Sequence, residues 1–208
     1  MRKLILKMSL SLDGFVAGPN GEMDWVFASF DESLRQWEVE TLWKAGLHIM
    51  GARTFRDMSS WWPTSTEPYA PPMNQIPKAV FARHGIGHAE TTVSLENAKT
   101  MRPNALGKTP QPGADSWQHA YVARGDLRGE IEHLKEQDGG DILAHGGASF
   151  AKSLIAAGVV DEFRLLVHPV ALGSGMAIFE GLSPQRFTPY GTTAFPSGTI
   201  AKILRPQK

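Results

Sequence analysis

One segment, residues 141–155, constrains the fold of this chain more strongly than any other. A short apolar run after Asp141 is typical of a buried strand, and apolar residues from Phe150 onward recur at helical spacing. Gly146 and Gly147 lie between the two patterns. The segment therefore predicts a strand, a glycine turn and an amphipathic helix.

The glycine turn is also a candidate binding site. A backbone without side chains at Gly146 and Gly147 lets a ligand approach closely. The N–H groups and the positive dipole end of the following helix favour an anion such as a nucleotide phosphate. Paired glycines are equally common in a plain loop between a strand and a helix, so this segment alone leaves both interpretations open.

The composition narrows the class of protein. A chain of 208 residues with 42% hydrophobic residues predicts one domain, 1–208, with its own core. Basic and acidic residues number 21 each, which argues against binding to nucleic acid or to an anionic membrane surface. The absence of cysteine excludes disulfides and thiolate chemistry. Lys7 interrupts the apolar start, so a first strand explains it better than a signal peptide, and we expect a cytoplasmic protein.

The order of the predicted elements indicates an α/β fold. Strands alternate with helices along the chain, and a hairpin ends it. We therefore expect a mixed, mostly parallel sheet flanked by helices, with a C-terminal antiparallel hairpin. The predicted strands cover residues 3–12, 47–50, 77–82, 119–123, 141–144, 162–170 and the hairpin 187–204. The first predicted helix covers residues 31–45 and would end at Gly46, and the second covers residues 52–58. A third predicted helix follows Asp126, and a fourth ends at Gly158. Residues 84–117 lack periodicity, and we interpret them as a long surface insertion.

Further residues suited to phosphate follow two other predicted strands. Arg53 and Thr54 begin the helix after Gly51, and Arg83 follows the next strand along the chain. The carboxyl ends of parallel strands meet at one edge of a sheet, which is where ligands bind in this class of fold. We therefore predict that these residues and the glycine turn form one nucleotide site.

Other chemistry is less well supported by the residues. His84 and His88 are spaced by four, but they lie in a glycine-rich stretch with no obvious third ligand, so we predict no metal site. His145 could face a bound ligand or be a hydrogen-bonded core histidine. No nucleophile elbow is present. Hydride transfer fits such a chain, because the cofactor supplies the chemistry and the protein aligns two ligands.

Several ordered motifs together resemble the dihydrofolate-reductase-like superfamily. The resemblance is strongest to the branch named for the C-terminal reductase domain of the bifunctional riboflavin-biosynthesis deaminase-reductase, and it covers nearly the whole chain. The motifs that carry it are residues 11–18 with Asp24 and Trp25, 49–55, 80–83, 141–149, 165–173 and 195–198.

The resemblance implies an NADPH-binding reductase, commonly a homodimer, that acts on a small heterocycle of the pteridine or ribosylaminopyrimidine kind. Asp13, Ala17 and Trp25 would border the nicotinamide and the substrate, with Ala17 on the cofactor side. We count His145 with the substrate residues because of its position immediately before the glycines, not because of the resemblance. The residues that the resemblance assigns to the cofactor are Gly51, Arg53, Thr54, Arg83, Gly146, Gly147, Ala148 and Ser149. Arg53 and Arg83 suit the 2′-phosphate, which favours NADPH over NADH.

Two departures from the resembled family bear on the substrate. Dihydrofolate reductases place a substrate-binding carboxylate early on the first helix, where this chain has Phe30 beside Asp31 and Glu32, so folate is a poor candidate. The insertion at 84–117 is longer than the branch usually has, and it could cover the site or contact another subunit. The alternative function is a binding or regulatory module that retains the nucleotide fold without turnover.

Overall fold

The computed structural model describes residues 1–82, 85–87 and 92–207. The strands are β1 (Leu4–Leu10), β2 (Phe15–Ala17), β3 (Ala45–Gly51), β4 (Lys78–Phe81), β5 (Tyr121–Ala123), β6 (Asp141–His145), β7 (Glu162–Val167), β8 (Met176–Ala177), β9 (Phe187–Ala194) and β10 (Ile200–Pro206). The α-helices are α1 (Glu32–Trp43), α2 (Ala52–Trp61), α3 (Ala70–Gln75), α4 (Val93–Met101), α5 (Leu127–Glu136) and α6 (Ala148–Ala156); short 3-10 helices span Asp24–Ser29, Trp62–Thr64 and Ala114–Trp117.

Eight of these strands form one sheet in the order β5-β4-β3-β6-β1-β7-β10-β9. The strands from β5 to β7 pair in parallel, whereas β10 is antiparallel to both β7 and β9. The predicted mixed sheet with its C-terminal hairpin is confirmed. Strands β2 and β8 pair separately, and they hold the loop after β1 in an ordered shape.

The two faces of the sheet carry separate cores because successive residues of a strand point to opposite sides. On one face Leu4 and Leu6 pack with α5 and α6. On the other face Ile5 and Leu143 pack with α1, α2 and α3. The alternation along β1 therefore decides which helices cover each face.

Most predicted helix boundaries agree with the structure, for reasons visible in the caps. The Asp31 carboxylate accepts a hydrogen bond from the Leu34 N–H at 2.9 Å and begins α1. Asp126 caps α5 in the same way. The prediction that Gly46 ends the first helix is wrong, because α1 ends at Trp43 and Gly46 belongs to β3. A side chain there would meet the backbone of Gly140, its Cβ lying 2.6 Å from the Gly140 nitrogen.

The surface interpretation of residues 84–117 is wrong for part of the stretch. Helix α4 forms within it, and Leu95 and Ala98 pack on Trp61 in a small core of their own. Trp117 is buried and its indole N–H donates to the Asn74 side chain at 2.8 Å. The periodicity is hard to recognise because α4 is short and its apolar residues pack against Trp61 at the end of α2 rather than against the sheet.

No helix in the described part of the chain is long and apolar enough to cross a membrane. The cytoplasmic location stays a prediction.

Candidate active site

The order of the strands creates a crevice at the carboxyl edge of the sheet. Strand β6 leads to α6 on one face, while its neighbours β1 and β3 lead to α1 and α2 on the other face. The loops after adjacent strands therefore diverge at β6. Ligands in open α/β sheets bind where such a divergence occurs.

The glycine turn after β6 forms the centre of this crevice. The Thr54 hydroxyl donates to the Gly146 carbonyl at 3.0 Å, which joins α2 to the turn. A Cβ on Gly147 would lie 2.7 Å from the Thr54 oxygen, and one on Gly146 would lie 2.8 Å from the sulfur of Met8. Gly147 also has φ +89°, a conformation that L side chains rarely adopt. Glycine is thus required at Gly147, whereas at Gly146 only the flexible end of Met8 would have to shift. Gly147 is exposed, so the backbone there is open to a ligand.

Helix α6 begins at this turn and α2 begins beside it, both without a side-chain cap. Gly51 precedes α2 and Gly147 precedes α6, and neither residue has a side chain to accept from the first-turn N–H groups. Arg53 and Ser149 are exposed in these first turns, and Ala148 is half-buried. The predicted cofactor residues on α2 and α6 are therefore brought together at two positive helix ends, which suits the phosphates of a dinucleotide.

One predicted phosphate ligand cannot be placed. Arg83 lies outside the described residues, as do His84 and His88. Strand β4, which Arg83 follows in the sequence, pairs in parallel with β3, so its carboxyl end lies at the same edge of the sheet. The cofactor role of Arg83 stays a prediction.

Asp13 organises the loop that follows β1. Its carboxylate accepts hydrogen bonds from the Ser11 hydroxyl at 2.6 Å, from the Gly173 N–H at 2.7 Å and from the Leu172 N–H at 3.1 Å. The bond from Ser11, followed by that from Gly173, lowers the pKa of Asp13 to about 2. The carboxylate therefore joins two loops, and Ala17, buried in β2, continues the same connection through its pairing with Met176 of β8.

Trp25 lies on the 3-10 helix Asp24–Ser29, which a buried histidine supports. The edge of the Trp25 ring meets the His168 ring, with centroids 5.5 Å apart and planes at 87°. Nδ1 of His168 lies 2.7 Å from the Ser29 hydroxyl, and the Thr199 hydroxyl donates to the Ser29 carbonyl at 3.0 Å. Burial lowers the pKa of His168 to about 4, so the ring is neutral. The sequence contains no signal for this contact except that His168 lies within one of the resembled motifs.

His145 lies inside the core rather than in the open crevice. The residue is 7% exposed, and its ring packs edge-on against His48, with centroids 4.7 Å apart. Burial, followed by the proximity of His48, lowers the pKa of His145 well below its usual value. Its Nε2 has no hydrogen-bond partner among the described residues. The geometry agrees better with a core histidine than with one that faces a ligand, although the hydrogen bond expected at Nε2 is missing. Contact between His145 and a substrate stays a prediction.

A buried charged pair adjoins His145 on the same face of the sheet. Lys7 of β1 is the register partner of His145 and forms an ion pair with Glu38 of α1. The Tyr69 hydroxyl donates to the second oxygen of Glu38 at 3.1 Å. The side chains of Lys7 and Glu38 are only 16% and 7% exposed. We call Lys7, Glu38 and Tyr69 the polar floor; its one signal in the sequence was the lysine that interrupts the apolar run of β1.

A cavity of about 880 Å³ lies elsewhere. It is lined by residues such as Met1, Phe163 and Arg205, at the amino ends of β1 and β7. It is therefore separate from the glycine turn, and we place the site by the chemistry of its residues rather than by the size of a cavity.

Comparison with known proteins identifies the family of this chain. The family model of the RibD C-terminal domain matches residues 2–201. The chain belongs to this family. A relative, the uncharacterized protein YyaP of Bacillus subtilis (strain 168), is 26% identical over 202 residues, which cover 96% of this chain and 92% of the relative.

Solved structures of the family share the fold. RibD of Acinetobacter baumannii superimposes with a TM-score of 0.68 at 23% identity, covering 100% of this chain and 58% of that one. A diaminohydroxyphosphoribosylaminopyrimidine deaminase/5-amino-6-(5-phosphoribosylamino)uracil reductase from Thermotoga maritima gives a TM-score of 0.67 at 17% identity, covering 99% of this chain and 57% of that one. This RibD family member thus has the dihydrofolate-reductase-like fold that its motifs predict, and it spans somewhat more than half of these two proteins.

Proposed function

We propose that this RibD family member is an NADPH-dependent reductase that acts on a small heterocycle. The observation that carries the proposal is the glycine turn. Gly146 and Gly147 have no side chains and lie beside the first turns of α2 and α6, neither of which has a side-chain cap, and the Thr54 hydroxyl donates a hydrogen bond to the Gly146 carbonyl. The reductase activity named for the Thermotoga maritima neighbour supports the reaction class. The family also connects the chain with riboflavin biosynthesis.

The residues present fit NADPH. First-turn N–H groups of α2 and α6 would hold its pyrophosphate, and Thr54 keeps the glycine turn in place beside them. Arg53 and Arg83 would bind the 2′-phosphate, because a guanidinium can form paired, charge-assisted hydrogen bonds to it. When bound, NADPH supplies the hydride for reduction.

The substrate half of the site adjoins the polar floor. The Trp25 turn follows β1, and Lys7 of β1 joins the sheet to Glu38 on α1. We propose that the heterocycle lies between this turn and α1, with Asp13 holding the loop in shape and the polar floor beneath the ring. A planar aromatic wall such as Trp25 suits a flat substrate.

A cofactor titration and a turnover assay test the proposal. Melting curves with NADPH and with NADH should show stronger stabilisation by NADPH, since selective binding to the folded state raises its stability. Loss of NADPH absorbance with pterins, folates and aminopyrimidines then tests turnover. Equal stabilisation by the two cofactors would contradict the choice of NADPH, and binding without oxidation of any heterocycle would favour the alternative of a non-catalytic binding module.

A further inference from the structure

The turn of the C-terminal hairpin lies at the same edge of the sheet as the candidate site. Ile200, the first residue of β10, is the register partner of Val167 at the carboxyl end of β7. The turn before it, residues 195–199, is closed by a hydrogen bond from the Phe195 N–H to the Thr199 carbonyl at 2.9 Å. Strands β1 and β7 lie between this hairpin and β6. The hairpin turn therefore adjoins the substrate half rather than the glycine turn.

Thr199 is the residue of the hairpin turn that holds the end of the Trp25 turn, the 3-10 helix Asp24–Ser29. Its side chain is fully buried, and its hydroxyl donates to the Ser29 carbonyl at 3.0 Å. The last carbonyls of a helix have no partner within the helix, and Ser29 is the last residue of this one. The Thr199 hydroxyl thus supplies a donor that the helix itself cannot provide.

His168 connects the same place to the Trp25 ring. Its Nδ1 lies 2.7 Å from the Ser29 hydroxyl and 3.4 Å from the Thr199 hydroxyl, and the residue is fully buried. Its ring also contacts the Trp25 ring, with centroids 5.5 Å apart. We call Ser29, His168 and Thr199 the Thr199 cluster. Trp25 is therefore held through two connections, the helix and the imidazole, and both of them end at this cluster.

The hairpin turn holds the start of α1 as well. The Ser197 N–H donates to one oxygen of Asp31 at 2.8 Å, while the other oxygen caps α1 by accepting from the Leu34 N–H. The Phe195 ring packs against the Trp37 ring of α1, with centroids 6.2 Å apart. One turn of the hairpin thus fixes both segments between which we place the heterocycle, the Trp25 turn and α1.

We infer that Thr199 is a positioning residue for the substrate half: it fixes the Ser29 end of the Trp25 turn and so sets the affinity for the heterocycle. The inference rests on the proposed reductase function and deepens it, because it assigns the substrate half to the C-terminal hairpin. Thr199 is buried, so its effect passes through Ser29 and His168. A binding wall that is already ordered costs less entropy when the ligand binds, and a loosened wall binds the ligand more weakly.

Two substitutions at Thr199 test the inference. Thr199→Val keeps the shape of the side chain but leaves the Ser29 carbonyl without its donor. We expect KM for the heterocycle to rise about tenfold with kcat nearly unchanged, since weaker binding of substrate and transition state alike raises KM alone. Thr199→Ser retains the hydroxyl and should restore most of the native KM.

The assay uses one probe of each proposed heterocycle kind. These are 5-amino-6-(5-phosphoribosylamino)uracil, which is named for the Thermotoga maritima reductase, and dihydropterin. Initial rates are measured by loss of NADPH absorbance, and Kd for NADPH is measured by fluorescence titration. The Kd should be the same in the native protein and in both Thr199 variants, because the glycine turn lies on the other side of β1 and β7.

Thr193→Val is the matched control. Thr193 lies on β9 of the same hairpin, is the register partner of Ala201 and is exposed. Loss of its hydroxyl should therefore leave both KM and the Kd for NADPH unchanged. Melting temperatures of all three variants show that each protein is folded at the assay temperature.

Hydrogen exchange followed by mass spectrometry gives a readout that needs no substrate. In Thr199→Val the amides of residues 24–31 should exchange several times faster than in the native protein, while those of α6 keep their native rates. A general loss of stability would instead speed exchange in both segments.

The outcomes distinguish this inference from the proposed function. An unchanged KM in Thr199→Val, or a rise in KM that Thr199→Ser does not reverse, would overturn the inference while native turnover keeps the reductase proposal in place. Native exchange rates in residues 24–31 of Thr199→Val, or an equal loss of affinity for NADPH, would overturn it too. If the native protein binds NADPH but reduces neither compound, the proposed heterocycle class is wrong and the inference is wrong with it.

Discussion

At the scale of single residues, Gly147 is the most sensitive position of the cofactor half. In Gly147→Ala the new Cβ would meet the Thr54 hydroxyl, 2.7 Å away, and would hold a strained positive φ. We expect NADPH affinity to fall by about tenfold or more and the fold to lose roughly 1–2 kcal/mol. Fluorescence titration with NADPH and thermal melting measure the two effects.

Gly158→Ala is the matched control for that variant. Gly158 also has positive φ, at +63°, but its nearest neighbour to a new Cβ is 3.9 Å away and it lies at the far end of α6. It should lose similar stability and keep its affinity for NADPH. Equal affinities of the two variants for NADPH would show that the glycine turn is an ordinary loop without a role in cofactor binding.

His168 gives a prediction about pH. Its buried ring stays neutral down to a pKa of about 4, whereas in the unfolded chain it binds a proton near its ordinary value of 6.5. The unfolded state therefore binds more protons between these values, and the free energy of unfolding falls as the pH falls through this window. Replacing His168 by Asn should reduce that slope by roughly 1 kcal/mol per pH unit.

Urea unfolding at several pH values between 7 and 5 measures the slope. His48 and His145 contribute in the same direction, because burial lowers the pKa of each. The Asn side chain can still accept from the Ser29 hydroxyl, so the support of the Trp25 turn is retained. An identical slope in the Asn variant would contradict the assignment of a neutral, buried His168.

At the scale of secondary-structure elements, the polar floor connects β1 to α1. Glu38→Gln would leave the Lys7 ammonium unpaired while keeping an acceptor for Tyr69. We expect a loss of roughly 2–3 kcal/mol in the free energy of unfolding, somewhat less than for a fully buried pair because Lys7 is 16% exposed. The double variant Lys7→Met with Glu38→Leu should recover much of it, since no unpaired charge remains.

A surface pair on the same helix is the control. Glu32 and Arg35 lie three residues apart on α1, and their side chains are 79% and 39% exposed. Glu32→Gln should cost no more than about 1 kcal/mol. A cost for Glu38→Gln as small as that for Glu32→Gln would show that the Lys7–Glu38 pair is solvated rather than buried.

The inserted segment shows where element prediction fails. Helix α4 buries Leu95 and Ala98 against Trp61, which lies more than thirty positions earlier in the chain. Periodicity reveals a helix when its apolar stripe is long, as in α5, where Leu127, Ile131 and Leu134 share one face. A nine-residue helix in which only two apolar residues, Leu95 and Ala98, are buried carries too little pattern to be separated from a loop.

At the scale of the whole molecule, cofactor binding should stabilise the fold. At a free NADPH concentration about 100 times Kd, linkage adds roughly 2.7 kcal/mol to the free energy of unfolding. For a domain of this size that corresponds to a rise in Tm of about 5–10 °C. Differential scanning fluorimetry with NADPH, and with Gly147→Ala as the control, measures it; a rise of the same size in that variant would contradict binding at the glycine turn.

The homodimer that the family resemblance implies remains a proposal. Strand β9 forms the outer edge of the sheet, is eight residues long and carries Tyr190 with 58% of its surface exposed. Long exposed edges favour pairing with another chain. Analytical ultracentrifugation should therefore give twice the mass of the 208-residue chain, and a monomer mass at micromolar concentration would contradict the proposal.

The sequence alone determined the class of fold and predicted the proposed cofactor half of the site. Both depend on local patterns: apolar periodicity specifies strands and helices, and a glycine between a strand and a helix leaves helix N–H groups open. Parallel strands then place their carboxyl ends at one edge, so the sequence predicts that Thr54 and Gly146 lie close together.

Only the tertiary structure decided which side chains surround the proposed substrate half. Three contacts join residues that are more than thirty positions apart in the chain: the Lys7–Glu38 ion pair, the ring contact of His168 with Trp25, and the Arg102–Glu67 ion pair. The charge that a ligand meets depends on which side chains are already paired across such distances. No local pattern records that pairing, because it arises only when the sheet and its helices pack together.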